Sequence, residues 1–282
     1  DDLVYRYFPM PLNLGPGAMR ACSTFNNPNI LGEYLAMVFP FVVYYAFVGR
    51  RTRARLGCRV CLLLAAGGIA FSFSRGSYLA LVTVAVVLCV TNANKIMLIP
   101  LSLSSVVVII PESVLARLFS IKDTDTDASI GERLDIWKIC IDAIGEKPVL
   151  GYGPGVQNSW DIIIAGGINA PHAHNLVLQL LIEGGIVGLA LMLFLGARTF
   201  FVAVRLARHS PRSQETRMLG ILFAAFVLAF CVDSMVEYPF LTPKLVGTFV
   251  LVLAMADATR SVYMGETESR TRQTLRRWAG RL

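Results

Sequence analysis

Two histidines and two arginines have the types and spacing to do chemistry in this chain. His172 and His174 stand in Pro171-His172-Ala173-His174-Asn175, just before a long apolar run. An imidazole with an unperturbed pKa of about 6.5 suits proton abstraction near neutral pH. A metal pair is conceivable, but two histidines at i, i+2 point apart on a helix and no third ligand is evident in the sequence. His174, nearest the helix start, is the better placed base; His172 lies between Pro171 and Ala173 in a more mobile turn. Arg75, in Ser74-Arg75-Gly76, and Arg133, in Arg133-Leu134-Asp135-Ile136-Trp137, carry the planar fork that matches a phosphate. The plainer readings are an Arg75 snorkelling to headgroups and a solvated Arg133.

The elements that must position these residues are membrane helices. Hydrophobic residues make up 55% of the 282-residue chain, charged residues 16%, and the mean hydropathy is +0.60. Soluble domains carry about 25% charged residues. Apolar runs of about spanning length, around 20 residues, occur at 30–48, 58–74, 77–91, 96–111, 174–200, 218–236 and 241–258. The pattern predicts an all-α, polytopic membrane protein. Its expected parts are a flank (1–29), four spans (30–111), one long polar loop (112–173), three spans (174–258) and a basic tail (259–282).

Charge placement orients it. With 1–29 outside, the segments 49–59, 92–95, 201–217 and 259–282, with Arg198, hold 17 of the 26 basic residues, and Lys and Arg in short loops favour the cytoplasm. The loop 112–173, with Asp123, Asp125, Asp127, Asp135, Asp142 and Asp161, then lies outside. The net charge of +7 therefore follows from topology; no basic run interleaved with aromatics suggests a nucleic-acid partner.

Other motifs have plain readings. Cys58 and Cys61 form a CxxC without the second pair a zinc site needs. Asp123 to Asp127 lacks the Gly and Glu of a calcium loop, and Gly151-Tyr152-Gly153-Pro154-Gly155 is not a nucleotide fingerprint. Asn27 or Asn29 can cap the first span after Pro28. Ser129 to Glu132 is a capping box opening a helix over about 130–145, with Leu134, Trp137, Ile141 and Ile144 as its apolar face on the membrane. Gly184, Gly185 and Gly188 allow close helix packing beside Glu183, a buried acid without an evident partner.

Taken in order, Arg133 to Trp137, Pro148-Val149-Leu150-Gly151-Tyr152-Gly153, and His174-Asn175-Leu176 through Glu183-Gly184-Gly185-Ile186-Val187-Gly188 resemble the O-antigen ligase/polymerase family. Thr24 to Asn29 and Ser74-Arg75-Gly76 also look like it. The resemblance implies a GT-C-like, metal-independent glycosyltransferase, without a cofactor, on the outer face of the bacterial cytoplasmic (inner) membrane. Its donor would be an undecaprenyl-diphosphate-linked glycan, and its acceptor a glycan, lipid A-core or protein. It implies His174, Arg133 and Arg75 as catalytic residues, and Arg75, Arg133, Trp137 and Asn175 as substrate-binding ones. Family members typically have about a dozen spans, so the resemblance also implies an N-terminally truncated member.

The competing class is a transporter or flippase of lipid-linked glycans, with Glu33, Glu183, Asp233 and Glu237 lining a polar route. No internal repeat or broken midplane helix is legible to favour it. Topology is directly testable in a variant freed of native cysteines. A cysteine at Asp125 should react with an impermeant thiol reagent from outside, and one at Arg53 only after permeabilisation; the reverse pattern would invert the orientation.

Overall fold

The computed structural model describes residues 21, 23–25, 27–47, 52–91, 128–209 and 214–279. Eight α-helices occur among them: α1 (Pro28–Phe47), α2 (Thr52–Ser72), α3 (Arg75–Val90), α4 (Ala128–Glu146), α5 (Val156–Ala165), α6 (Leu176–His209), α7 (Gln214–Asp233) and α8 (Pro243–Ala279). Short 3-10 turns, Ser23–Phe25 and Pro239–Leu241, precede α1 and α8. Within the described residues α1, α2, α6, α7 and α8 contain stretches long and apolar enough to cross a membrane, and α3 is a shorter apolar helix. The expected span at 96–111, the acidic turn at 123–127 and the side chain of Ser129 lie outside what is described.

The chain is an all-α polytopic membrane protein. Between spans there is little hydrophobic driving force, because lipid is as apolar as a leucine side chain; close packing of small residues takes over. Gly220 of α7 shows this. A Cβ there would come within 2.5 Å of Ala207 N and 2.7 Å of Ala203 O on α6. One packed cluster joins α1, α2, α3 and α7 around Phe39, Val43, Ile69, Val84 and Leu222. A second joins α1, α6, α7 and α8, with Phe223, Phe226, Phe230 and Phe249 at its centre.

The third cluster lies under α4 and α5, where Ile136 and Cys140 meet Ile163, Ala173 and Ile182. Trp137 and Ile144, of the apolar face expected for α4, pack against the edge of this cluster. Leu134 and Ile141 are exposed, 49% and 57%, whereas Ile136, Cys140 and Ala143 are buried. Both stripes recur at helical spacing, and the one that faces protein is chosen by what lies beneath: α5 and the start of α6.

One correction concerns α6. No broken helix was expected, yet Gly185 has φ 59° and ψ −158°, and the helix breaks there. The segment between α4 and α5 closes the break with its own backbone. Tyr152 N donates to Ile182 O (2.7 Å) and Gly153 N to Glu183 O (3.0 Å), while Ile186 N and Val187 N donate to Pro148 O (2.9 Å) and Val149 O (3.3 Å). The broken helix is thus spliced by the loop, with its freed groups satisfied by protein. Gly151 and Gly185 make this possible. A Cβ on Gly185 would collide with the Val149 carbonyl, and one on Gly151 with the Ile182 carbonyl.

The splice predicts a contrast between adjacent glycines. Gly185→Ala places a side chain in a backbone region open essentially to glycine, which costs about 1–3 kcal/mol, and adds overpacking of about the same size. Gly184→Ala meets nothing within 4 Å and should change stability by less than about 0.5 kcal/mol. Thermal unfolding of the two purified variants in detergent checks this; equal midpoints would remove the constraint.

Candidate active site

The polar site is built at the end of the bundle where α1, α3, α6 and α8 begin and α7 ends. Its first component is the turn that carries the histidines, which is held on three sides. Trp137 Nε1 donates to Ala173 O (2.9 Å) from α4, and Ala173 N donates to Gln179 Oε1 (3.0 Å) on α6. On the third side, Asn175 Nδ2 donates to Met235 O (2.9 Å) and Leu176 N to Ser234 O (2.9 Å), docking the turn on the α7–α8 connection. The Asn175 Oδ1 also accepts from Val177 N (2.9 Å) and Leu178 N (3.1 Å), so this residue caps α6. These bonds hold His174 at φ 48°, a left-handed conformation that a histidine adopts only where its surroundings impose it.

The second component is Glu237, which the sequence reading named only among the acids lining a polar route in the transporter alternative. Its Oε1 lies 3.0 Å from His174 Nδ1 and also accepts from Tyr238 N (3.2 Å). Its Oε2 accepts from Asn29 Nδ2 (3.1 Å) and lies 3.9 Å from Arg133 Nη2. The carboxylate is acceptor only, so His174 Nδ1 carries the proton and Nε2 keeps its lone pair for a substrate. His174 has 22% of its side chain exposed, against 3% for His172.

The two histidines are therefore unequal. Their ring centroids are 4.1 Å apart, and His174 N donates to His172 Nδ1 (3.2 Å), which requires a neutral His172 with its proton on Nε2. Burial first, then the neighbouring His174, pushes the His172 pKa down to about 4. Burial alone would raise Glu237. The bond and charge of His174, the charge of His172 and then that of Arg133 outweigh it and hold the carboxyl down at about 2.

The expectation that the histidines point apart on a helix is overturned: they sit in a turn, and Glu237 supplies a third potential metal ligand. The ligand atoms of His172, His174 and Glu237 lie within 4.8 Å of one another. A cation there would have to compete with Arg133 and with the hydrogen bonds already made by both Glu237 oxygens.

Around this centre the structure brings together four of the expected site residues. Arg133 and His174 meet at Glu237, while Trp137 and Asn175 hold the backbone of the histidine turn. Arg75 opens α3 at the same end. The following residue, Gly76, packs so closely that a Cβ would collide with Asp233 Oδ1. The partner missing for Glu183 is also found: Gln179 Nε2 (2.6 Å) and Tyr238 OH (3.1 Å) both donate to its Oε1. Gln179 Nε2 reaches Ser159 Oγ as well (2.8 Å), tying α5 into the same network. Asn27, finally, caps α1 through Asn29 N (2.8 Å), which aims Asn29 at Glu237.

These features define a multi-pass helical membrane protein whose polar centre, one half-buried histidine backed by a buried carboxylate, sits at one end of the bundle. Residues 60–193 match the model of the family described as O-antigen ligase. A relative named Exopolysaccharide production protein ExoQ, from Rhizobium meliloti (strain 1021), is 27% identical over 143 residues. That alignment covers 47% of this chain and 32% of the relative, so the chain spans about a third of the relative's length.

The lowered His172 pKa predicts acid sensitivity. Between pH 6.5, its ordinary value, and about 4, the unfolded chain binds a proton that the folded one refuses. This contribution is fully present above pH 6.5, falls as pH drops towards 4, and is worth about 3 kcal/mol across the window. Glu237 has the usual carboxylate sign, its contribution being lost between about 4.5 and 2, overlapping that window only at its acid end. Thermal unfolding of the detergent-solubilised protein from pH 7.5 to 4.5 should show the loss, and His172→Gln should flatten it. An unchanged slope in that variant would assign the sensitivity elsewhere.

Proposed function

We propose that the chain carries the catalytic part of a metal-independent membrane glycosyltransferase of surface polysaccharide biosynthesis. It transfers or polymerises a glycan from an undecaprenyl-diphosphate-linked donor onto a glycan, lipid A-core or protein acceptor at the outer face of the bacterial cytoplasmic membrane. The match of residues 60–193 to the O-antigen ligase family model and the exopolysaccharide role in the relative's name support the process. The observation that carries the chemistry is the 3.0 Å contact of His174 Nδ1 with buried Glu237, which leaves Nε2 as a base.

In this reading the acceptor hydroxyl oxygen attacks the anomeric carbon of the donor sugar. The bond from that carbon to the diphosphate oxygen breaks, and its electron pair leaves with the lipid diphosphate. The hydroxyl proton passes to His174 Nε2, and Glu237 stabilises the imidazolium that forms. Arg133, with Arg75 at the same end of the bundle, offsets the charge developing on the leaving diphosphate. A single displacement of this kind inverts the anomeric centre. Trp137 and Asn175 serve by fixing the turn that bears His174.

Transfer by the full-length, membrane-inserted protein from a lipid-linked donor tests the proposal. His174→Ala should lower turnover about a hundredfold to ten-thousandfold while donor binding persists, and His172→Ala should cost much less. Robust turnover by His174→Ala would end the base assignment. Transbilayer movement of donor without any glycan product would favour the flippase reading, to which buried Glu33 and Asp233 lend a polar element.

A further inference from the structure

A second site lies at the opposite end of the bundle, away from the histidines. There α6 and α8 part around a cavity of about 540 Å³, lined by Arg198, Arg205 and Arg260 together with Phe194 and Phe201. Arg198 is already engaged, its Nη1 2.5 Å from Asp257 Oδ2 across the two helices. Arg205 and Arg260 make no hydrogen bond or ion pair with any described residue. With Arg198 neutralised by Asp257, the cavity keeps two uncompensated guanidinium groups, one from each helix.

The depth and the apolar lining narrow the ligand. Arg260 lies seventeen residues beyond Pro243 (243 to 260), about 26 Å along α8 at 1.5 Å per residue. That is near the far boundary of a hydrocarbon core about 30 Å thick, the level of a lipid's phosphate. Phe194 and Phe201, 64% and 71% exposed, present rings beside the same cavity. Free phosphate would satisfy the arginines and leave these rings unused. A phospholipid uses both features, with its phosphate across two guanidinium forks and its chains along the phenylalanines. Ordinary snorkelling places single arginines at headgroup level; it does not account for two, from different helices, converging on one cavity with aromatic walls.

We propose that this cavity binds one anionic phospholipid of the leaflet opposite the histidine site, its phosphate held between Arg205 and Arg260. The lipid would bridge α6 and α8 beside the Arg198–Asp257 pair and complete their packing at that end.

Native mass spectrometry of the full chain in non-ionic detergent tests this, with titrations of phosphatidylglycerol, of phosphatidylcholine with the same acyl chains, and of inorganic phosphate. The expected result is one retained phosphatidylglycerol, preferred at least tenfold over phosphatidylcholine and not displaced by millimolar phosphate. The double variant Arg205→Gln/Arg260→Gln should lose that preference. Arg205→Lys/Arg260→Lys, which keeps the charge, should retain part of it and guards against a folding artefact. Arg208→Gln, an exposed arginine on α6 outside the cavity, should bind as the unaltered protein does. Equal retention of both lipids, equal loss in Arg208→Gln, an undiminished preference in the double Gln variant, or displacement by phosphate would each overturn the proposal.

Discussion

A carboxylate buried where a membrane bundle meets its outer loop is unstable unless several donors converge on it. Glu237 meets that condition, and the arrangement of this end of the molecule follows from it. Its donors come from the start of α1 (Asn29), from the turn before α6 (His174) and from its own chain neighbour (Tyr238), with the charge of Arg133 on α4 nearby. No one of these elements is close to the others in sequence. Satisfying one acid therefore fixes the relative positions of α1, α4, α6 and the α7–α8 connection.

The same condition separates two histidines that look alike on paper. His172 turns inward, accepts from the backbone and is kept neutral by burial, so its role is to fill and shape the site. His174 keeps its Nδ1 on Glu237 and its other edge towards solvent. An imidazole with one nitrogen committed to a carboxylate has a defined tautomer and a fixed ring orientation. The division of labour is thus set by exposure and hydrogen bonding.

Much of this was legible in the sequence, because the membrane imposes strong patterns. Span positions came from hydropathy runs, and His174 and Arg133 from their place in a polar loop together with the resemblance to the O-antigen ligase/polymerase family. Glu237 was harder to assign, since its partners lie 63 residues away at His174 and 208 away at Asn29. A signal existed: an acid followed by Tyr238-Pro239 between two apolar runs, at the same end as His174 by span count. Along α4 the apolar residues form two adjacent stripes, and the sequence does not say that Ile136, Cys140 and Ala143 are the ones buried against protein. The break at Gly185 was hidden because apolar residues continue on both sides of it, so hydropathy reports one uninterrupted span.

That break ties the history of the loop to the history of the helix. The backbone of 148–153 replaces hydrogen bonds that α6 would otherwise make within itself, and glycines at 151 and 185 each leave room for the other segment's main chain. Neither half is a complete structural part. An exchange of loops between related proteins that moved Pro148 to Gly153 without the Glu183-Gly184-Gly185 stretch would join a strand of donors and acceptors to a helix with no opening for them. The smallest unit that evolution or a chimera can pass on intact is therefore the loop together with the first three turns of the span that follows it.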